Sequence, residues 1–486
     1  MKILSITAQK PHSTGSGVFL TELVRGFDRL GMQQAVIAGI TEADETSFPD
    51  SVRFYPVYFD SAALPFPITG MSDEMPYRST RYCDLTPDML QKFRAAFSEK
   101  LREVERTFHP DLVICHHLYL LTAITRDALP DVHMIAICHG SDLRQLQKNP
   151  LCRAQILAKL SELDEIWALH RTQKEQILKL VSCPPEKVNL LGTGFNQQIF
   201  FRRTHAQSAQ LKPQTAHGTV PAFSKPAQMR CPDSTSAVQP NDAPFRSSGT
   251  PTPMTARQNP RSVRLLFAGK LSEKKGVMSL LRALSLLPSS LETAARSNGL
   301  DRTFSPALSL CLAGGHGNEQ EYLEIKRLAA ACPYLVSFLG RLSQPALAEE
   351  MNACDLFVLP SFYEGLPLVL AEAMACGMRA VCTDLPGVQD WLCSNVPHHT
   401  VRFVTPPKMK HTDEPLPEAL PAFELRLADT IAAAVFEIIS ARQAAVSLTS
   451  AGSIALPCRT HTDESLLTKE LEALSWDGLC QKLLQQ

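Results

Sequence analysis

Apolar residues in this chain fall into short runs with β character, separated by stretches where they recur every three or four positions. That alternation predicts parallel strands joined by helices. Lys2–Ala8 (KILSITA) reads as the first strand, and Val18, Leu20, Leu23, Val24, Phe27 and Leu30 predict a helix over Val18–Leu30. Gln34–Ala38 is the next strand, so strand, glycine loop, helix and strand form a βαβ unit. Pro87–Phe108 is amphipathic with interspersed Lys, Arg and Glu, the pattern of a solvated surface helix. Asp111–His116, His133–Cys138, Leu163–Trp167 and Val188–Leu191 are further strands, and Gly192–Phe200 closes a first domain.

The pattern then lapses. Arg202–Ser262 holds eight Lys or Arg against two acids, much Pro, Ser, Thr and Gln, and almost no period. Such a segment cannot bury enough apolar surface to offset the entropy of ordering, and is expected to be a disordered tether. Alternation resumes with a strand at Val263–Ala268, a helix through Leu287, and strands at Thr303–Leu312 and Val336–Gly340. A helix over Leu347–Cys354 and a strand over Asp355–Pro360 lead to a turn at Ser361–Gly365. Pro367 then suits a helix start and Gly377 the position past its end. Arg379–Thr383 is a strand, Phe403–Leu420 a proline-rich loop, Leu427–Ile439 a helix and Ala445–Thr462 an irregular insert. Ser465–Leu484, with Trp476, is a closing helix. The expected architecture is α/β: two Rossmann-like doubly wound domains, 1–201 and 263–486, facing a central cleft, joined by the basic insert 202–262. The last helix has the option of packing back on the first domain.

Composition narrows the picture. A chain of 486 residues with 44% hydrophobic content has ample material for two cores. A net charge of -1 argues against a dedicated nucleic-acid protein. Fourteen cysteines include no CxxC pair, and Cys115, Cys138, Cys311 and Cys382 lie in apolar runs, as in a reduced, cytoplasmic protein. No apolar run is long enough for a membrane span, although peripheral contact through basic surface needs none. The opening MKILSITA is too short for the core of a targeting segment.

Candidate chemistry gathers where strands end. Gly15 and Gly17 can let backbone approach a phosphate, or make a plain turn; they are not part of a GxGxxG fingerprint. His139, at the end of a strand and opening HGSD, has the address of a cleft residue, with Asp142 placed to fix its tautomer. His116 and His117 also end a strand but lack a third ligand type for a metal. The loop Ala62–Thr80 carries Asp73, Glu74, Tyr77 and Arg78, which either meet an acceptor or tie the loop down. In the second half, Lys270 and Lys275 share a strand-to-helix loop, where two ammonium groups can neutralise a diphosphate. Gly314 and Gly315 form another glycine loop. Glu364 and Glu372 stand eight positions apart around a helix start whose free N–H groups favour anions. No D-x-D sequence occurs, so a carboxylate-held metal is not expected.

These residues carry a resemblance. GKLSEKKG is similar to the G-[RK]-L-x-x-x-K-G block of glycosyltransferase family 4, the retaining nucleotide-sugar transferases of the GT-B fold. SFYEGLPLVLAEAMACGMRAVCTDLPG resembles that family's E-x7-E block, and STGSGVF, HGSD and GTGFNQQIF resemble its N-terminal half more weakly. The resemblance implies that Lys270 and Lys275 hold the donor diphosphate, Glu364 the sugar hydroxyls and Glu372 the ribose. Gly365 and Leu366 would offer backbone N–H groups, Gly17 would approach the diphosphate, and His139 would face the donor sugar. Arg341 and Leu342 would lie near the base. Lys270 stands where the family more often has Arg, which removes a bidentate phosphate contact. Gly194, Phe195 and Asn196 replace part of the family's N-G-V-D block.

The expected activity is metal-independent transfer of a sugar from a nucleotide-diphosphate donor to an acceptor hydroxyl, with no cofactor. The acceptor, whether small molecule, lipid-linked or glycan, would meet Asp73, Tyr77, Arg78, His116 and His117. A nucleotide-sugar-binding protein without activity and a nucleotide-sugar epimerase remain as alternatives.

Overall fold

The computed structural model describes residues 1–46, 48–72, 75–203, 261–297, 306–411, 413–450 and 461–485. The body of the insert expected at 202–262 and most of that expected at Ala445–Thr462 lie outside the described residues.

The first sheet is built from Lys2–Thr7 (β1), Gln33–Ile40 (β2) and Arg53–Tyr58 (β3), followed, beyond a two-residue ladder of Thr69–Gly70 (β4) and Thr80–Arg81 (β5), by Leu112–His116 (β6), His133–Ile137 (β7), Glu165–Ala168 (β8) and Val188–Leu190 (β9). Its order is β3-β2-β1-β6-β7-β8-β9, every pairing parallel. Strands such as LVICH are buried on both faces, because helices cover the sheet from both sides. Those helices are Gly15–Arg29 (α1), Pro87–Thr107 (α2), Leu120–Ala128 (α3), Ser141–Lys148 (α4), Arg153–Ser161 (α5) and Arg171–Leu180 (α6). The solvated helix expected at Pro87–Phe108 does bury one stripe, Phe93, Phe97, Leu101 and Val104.

The second sheet uses Ser262–Ala268 (β10), Ala307–Ala313 (β11), Leu335–Gly340 (β12), Leu356–Leu359 (β13), Arg379–Thr383 (β14) and Val401–Val404 (β15). Its order, β12-β11-β10-β13-β14-β15, is again wholly parallel. Both orders reverse beside the sheet's first strand, at β1/β6 and at β10/β13, and ligands of such sheets bind at that point beyond the strand ends. The helices here are Val277–Ser297 (α7), Glu319–Ala330 (α8), Gln344–Ala353 (α9), Leu368–Ala375 (α10), Val388–Asn395 (α11) and Leu420–Ser450 (α12). Met409–His411 (β16) and Glu414–Pro415 (β17) form a small hairpin before α12, and His461–Glu472 (α13) and Trp476–Leu484 (α14) end the chain.

Several local expectations change. The loop holding Gly15 and Gly17 is the first turn of α1, because the Thr14 side chain caps it by accepting the Gly17 N–H at 3.1 Å. Strand β3 escaped notice because RFYPVY contains Pro56; it is an edge strand, where a missing N–H is tolerated. The proline-rich loop at Phe403–Leu420 contains hairpin β16–β17. The single closing helix is two, since Ser475 accepts the Gly478 N–H at 3.1 Å and so starts a new helix at Trp476.

Helix α14 lies against α1: Trp476 is 3% exposed, and its ring meets Phe19 edge-on at 4.9 Å. Cys480 packs against Gly26, and Arg29 pairs with Asp477. One apolar cluster runs from Ile3, Phe19 and Trp167 through Leu366 and Trp391 to Leu479, so the two sheets share buried surface. No helix of the described residues is long and apolar enough to cross a membrane.

Candidate active site

The switch point of the second sheet sets two loops side by side. After β10 the chain turns through Glu273–Lys275, and Gly276 takes a φ of 69°. A side chain there would collide with the Pro360 carbonyl oxygen at the exit of β13, so only glycine lets the loops close. The Phe362 N–H donates to the Lys274 carbonyl at 3.0 Å, which locks their register. The outcome is an ion pair across the gap: Lys275 Nζ lies 2.7 Å from Glu364 Oε1, and the Ser361 hydroxyl donates to the same oxygen at 2.7 Å. Both side chains stay reachable, at 30% and 14% exposure.

Beside them three glycine-bearing strand ends interlock. Gly314 donates to the Gly340 carbonyl at 2.7 Å, and Leu271 donates to Gly315 at 2.9 Å. A Cβ on Gly317 would sit 2.9 Å from Lys270 Nζ, and one on Gly315 would strike the Arg341 side chain. Lys270, Gly314, Gly315 and Arg341 therefore pack together at the ends of β10, β11 and β12. Arg341 reaches out from there and donates from Nη2 to the Pro76 carbonyl at 2.7 Å. Leu342 is half-buried against the shared apolar cluster.

Helix α10 follows, with Pro367 at its N-cap rather than in its first turn, and Gly377 beyond its end at a φ of 82°. Glu372 is inside that helix and 8% exposed. Burial, with the charge of Glu22 added, pushes its carboxyl up to about 8. Glu22 belongs to α1 and is held by Arg25 at 2.8 Å and Asn196 at 3.4 Å.

The first lobe meets this loop directly. Tyr363 donates its hydroxyl proton to the Gly140 carbonyl at 2.9 Å, and a Cβ on Gly365 would come 3.0 Å from the His139 carbonyl oxygen. Leu366 is buried behind it. Asp142 does not orient the His139 ring. Its carboxylate accepts backbone N–H groups of His139 at 3.1 Å and Leu118 at 2.9 Å, tying two strand ends together. The His139 ring is paired with His116 instead, Nε2 to Nδ1 at 3.2 Å, and stands edge-on to Phe19. Burial, then the neighbouring imidazoles His117 and His116, holds His139 well below the usual histidine range. Burial and His117 likewise push His116 down to about 3.

His116 Nε2, His117 Nε2, Gln9 Nε2 and Tyr119 Oη are buried with no hydrogen-bond partner among the described residues. The three histidines thus form a neutral group behind the cleft wall. Gly17 sits in the first turn of α1, under the Lys10 carbonyl, where a Cβ would come within 2.8 Å. Tyr77 is half-buried beneath the Lys10 ammonium, 5.1 Å from its ring centre, and Arg78 is exposed. Asp73 lies outside the described residues.

Sequence reading missed a second ionic group beside the site. Asp413, in hairpin β16–β17, accepts from Arg144 at 2.6 Å and from Lys274 at 2.9 Å. Burial alone would raise its carboxyl, but the Lys274 hydrogen bond and the charges of Arg144 and Lys148 bring it down to about 2. Lys274 was visible as half of the KK pair. Nothing in the local pattern marks Asp413 or Arg144, which lie far apart in sequence.

Two family profiles match the two lobes separately. Glycosyltransferase Family 4 matches residues 13–198, and Glycosyl transferases group 1 matches residues 256–416. The chain belongs to glycosyltransferase family 4. Among curated relatives, it is 32% identical over 132 residues to a D-inositol 3-phosphate glycosyltransferase of Pseudarthrobacter chlorophenolicus, a stretch covering 27% of this chain and 28% of that protein. It is 30% identical over 125 residues to the O-antigen chain mannosyltransferase B of Escherichia coli, covering 26% of this chain and 29% of that one. The chain thus spans less than a third of the length of these relatives. Among solved structures, sucrose-phosphate synthase from Thermosynechococcus elongatus superposes with a TM-score of 0.63 at 14% identity, over 100% of this chain and 98% of that one. Anabaena HepE, solved with UDP and glucose, gives a TM-score of 0.52 at 14% identity, over 93% of this chain and 100% of that one. Both share the GT-B fold with this family 4 chain.

Proposed function

We propose that this chain is a retaining glycosyltransferase that moves a sugar from a nucleoside-diphosphate donor to an acceptor hydroxyl. The observation that carries it is the Lys275–Glu364 pair, 2.7 Å apart at the switch point of the second sheet, on a loop whose Tyr363 and Gly365 touch the first lobe. The family membership supports it, and so does a likeness of fold to HepE, which was solved with UDP and glucose.

The chemistry follows from the charges. Breaking the anomeric C–O bond leaves its electron pair on the diphosphate and positive character on the sugar. Lys275 and Lys270 face the leaving diphosphate, and the backbone N–H groups at Gly365 and Leu366 add to the positive end of α10. Fixed charges of this kind act without reorganising as the bond breaks, which is why they lower the barrier. Glu364, held by Ser361, accepts from hydroxyls of the sugar; Lys275 turns from it toward the diphosphate when the donor arrives. Glu372 takes the ribose. Attack comes on the face the leaving group departs from, which preserves configuration and needs no enzyme nucleophile. Two lysines supply the charge that a metal supplies elsewhere. The acceptor enters from the side of Tyr77 and Arg78; His116 and His117, 3% and 4% exposed, stand behind that entry rather than meeting the acceptor.

A panel of UDP-, GDP- and ADP-sugars, led by UDP-glucose, tests the reading in two steps. A true donor raises the melting temperature, because it binds only the folded chain. It is then hydrolysed slowly, or transferred once an acceptor is supplied, and a chelator leaves that rate unchanged. A panel in which no nucleotide or nucleotide sugar shifts the melting temperature, and none is consumed, defeats the proposal.

A further inference from the structure

Three cations from both lobes converge on one carboxylate beside the donor site. Asp413 Oδ2 receives Arg144 Nη1 at 2.6 Å and Lys274 Nζ at 2.9 Å, and Oδ1 lies 3.5 Å from Lys148 Nζ. Arg144 and Lys148 belong to α4 of the first lobe, and Lys274 to the loop after β10. The Arg144 and Asp413 side chains are 6% and 4% exposed, whereas Lys148 and Lys274 are 48% and 44% exposed. The group is therefore closed on the arginine side and open to solvent on the lysine side.

Its position is the second point. Lys274 directly precedes Lys275, and the Arg144 guanidinium lies over the Tyr363 ring, 5.7 Å from its centre. Tyr363 in turn adjoins Glu364. Arg144 Nη2 also reaches the Ser72 hydroxyl at 3.1 Å, in the loop expected to meet the acceptor. The group thus stands between the donor carboxylate and the acceptor side of the cleft.

Among the described residues its charge does not balance: three cations meet one carboxylate, and two of the three share a single oxygen. A phosphate monoester offers more acceptor oxygens and up to two negative charges, so it satisfies the same donors better. Asp413 itself arrives on a hairpin joined by only two ladder pairs, Met409 with Pro415 and His411 with Glu414, so moving it disturbs little regular structure.

We propose that Arg144, Lys148 and Lys274 form a subsite for a phosphate monoester carried by the acceptor, and that Asp413 fills it in the free chain as an internal competitor. The word acceptor rests on the transfer reading above; the anion site rests on the ionic geometry alone.

The test is a calorimetric titration of the full chain and of Asp413→Asn with inorganic phosphate, glycerol 3-phosphate and glycerol. Each result is read as the ratio between the two proteins, so phosphate bound at Lys270 and Lys275 cancels. Removing the competitor is expected to tighten both phosphates by about tenfold, and to leave glycerol without measurable binding. Equal phosphate affinity in the two folded proteins overturns the proposal. A gain for inorganic phosphate with none for glycerol 3-phosphate overturns the acceptor assignment. If Asp413→Asn does not fold, Lys148→Gln replaces it: that half-exposed cation can be removed safely, and phosphate affinity must fall about threefold. An unchanged affinity there sinks the subsite. A chain that binds no nucleotide removes the transfer reading and leaves these ratios intact.

Discussion

Lys275 Nζ and Glu364 Oε1 lie 2.7 Å apart although 89 residues separate them in the chain. Each is held by its own loop, and the loops are locked by the Phe362–Lys274 hydrogen bond and the close approach of Gly276 to Pro360. Under the transfer mechanism the lysine stabilises the leaving diphosphate and the glutamate holds the sugar. Lys275→Ala and Glu364→Ala are each expected to lower turnover at least ~100-fold, the size seen when a transition-state charge donor is lost. Steady-state rates on purified, folded variants check this, and near-normal turnover in both would reject the roles.

Glu372 makes stability depend on pH. Its folded-state value, pushed up to about 8 by burial and then by Glu22, lies above its ordinary value of 4.5. A carboxyl raised in this way favours the folded chain while protonated, and that favour is lost as pH rises from about 4.5 to about 8. Glu372→Gln keeps the shape without the charge. It is expected to raise the melting temperature at about pH 9 and leave it nearly unchanged at about pH 4. Melting curves of both proteins at the two pH values decide it; equal shifts at both would mean that the buried charge is not the cause.

Gly314 has a φ of 148°, and a Cβ on it would run into the Gly269 carbonyl oxygen. Backbone cannot yield there without breaking the interlock between the ends of β10, β11 and β12. Gly314→Ala is expected to cost about 2 kcal/mol and to weaken donor binding as well. Urea unfolding and a nucleotide titration measure the two effects. A loss of stability with unaltered nucleotide affinity would place the glycine loop away from the donor.

Trp476 anchors α14 to α1 through Phe19. Truncating this buried ring in Trp476→Ala is expected to cost about 3–5 kcal/mol. Limited proteolysis should then cut early near the C-terminus, before the lobes unfold. Simultaneous loss of all regions would show that the helix is part of a single cooperative unit instead.

Much of the second lobe was legible because its residues act locally. The run Arg379–Thr383 matched β14 residue for residue, since a buried parallel strand needs apolar side chains on both faces. Gly377 and Pro367 marked the ends of α10 to within a residue, because capping depends on a few neighbouring dihedrals. Strand β3 and hairpin β16–β17 were not legible. Proline and short length weaken the period-two signal, and both elements exist because neighbours supply their partners. The glycines of α1 misled for a similar reason: capped by Thr14, the helix starts at Gly15, three residues before the apolar spacing begins.

By itself the sequence determined the two-lobed α/β plan, the loops that carry the lysines and Glu364, the helix that carries Glu372, and the family to which those motifs belong. Hydrophobic period and turn chemistry are short-range properties, so they survive in a linear reading. Only the tertiary structure decided that Lys275 meets Glu364, that His139 leans on His116 rather than Asp142, and that Arg144 and Lys274 close on Asp413. Those contacts are fixed by sheet order and by the packing of one lobe on the other, and electrostatic partners chosen at long range leave no periodic trace along the chain.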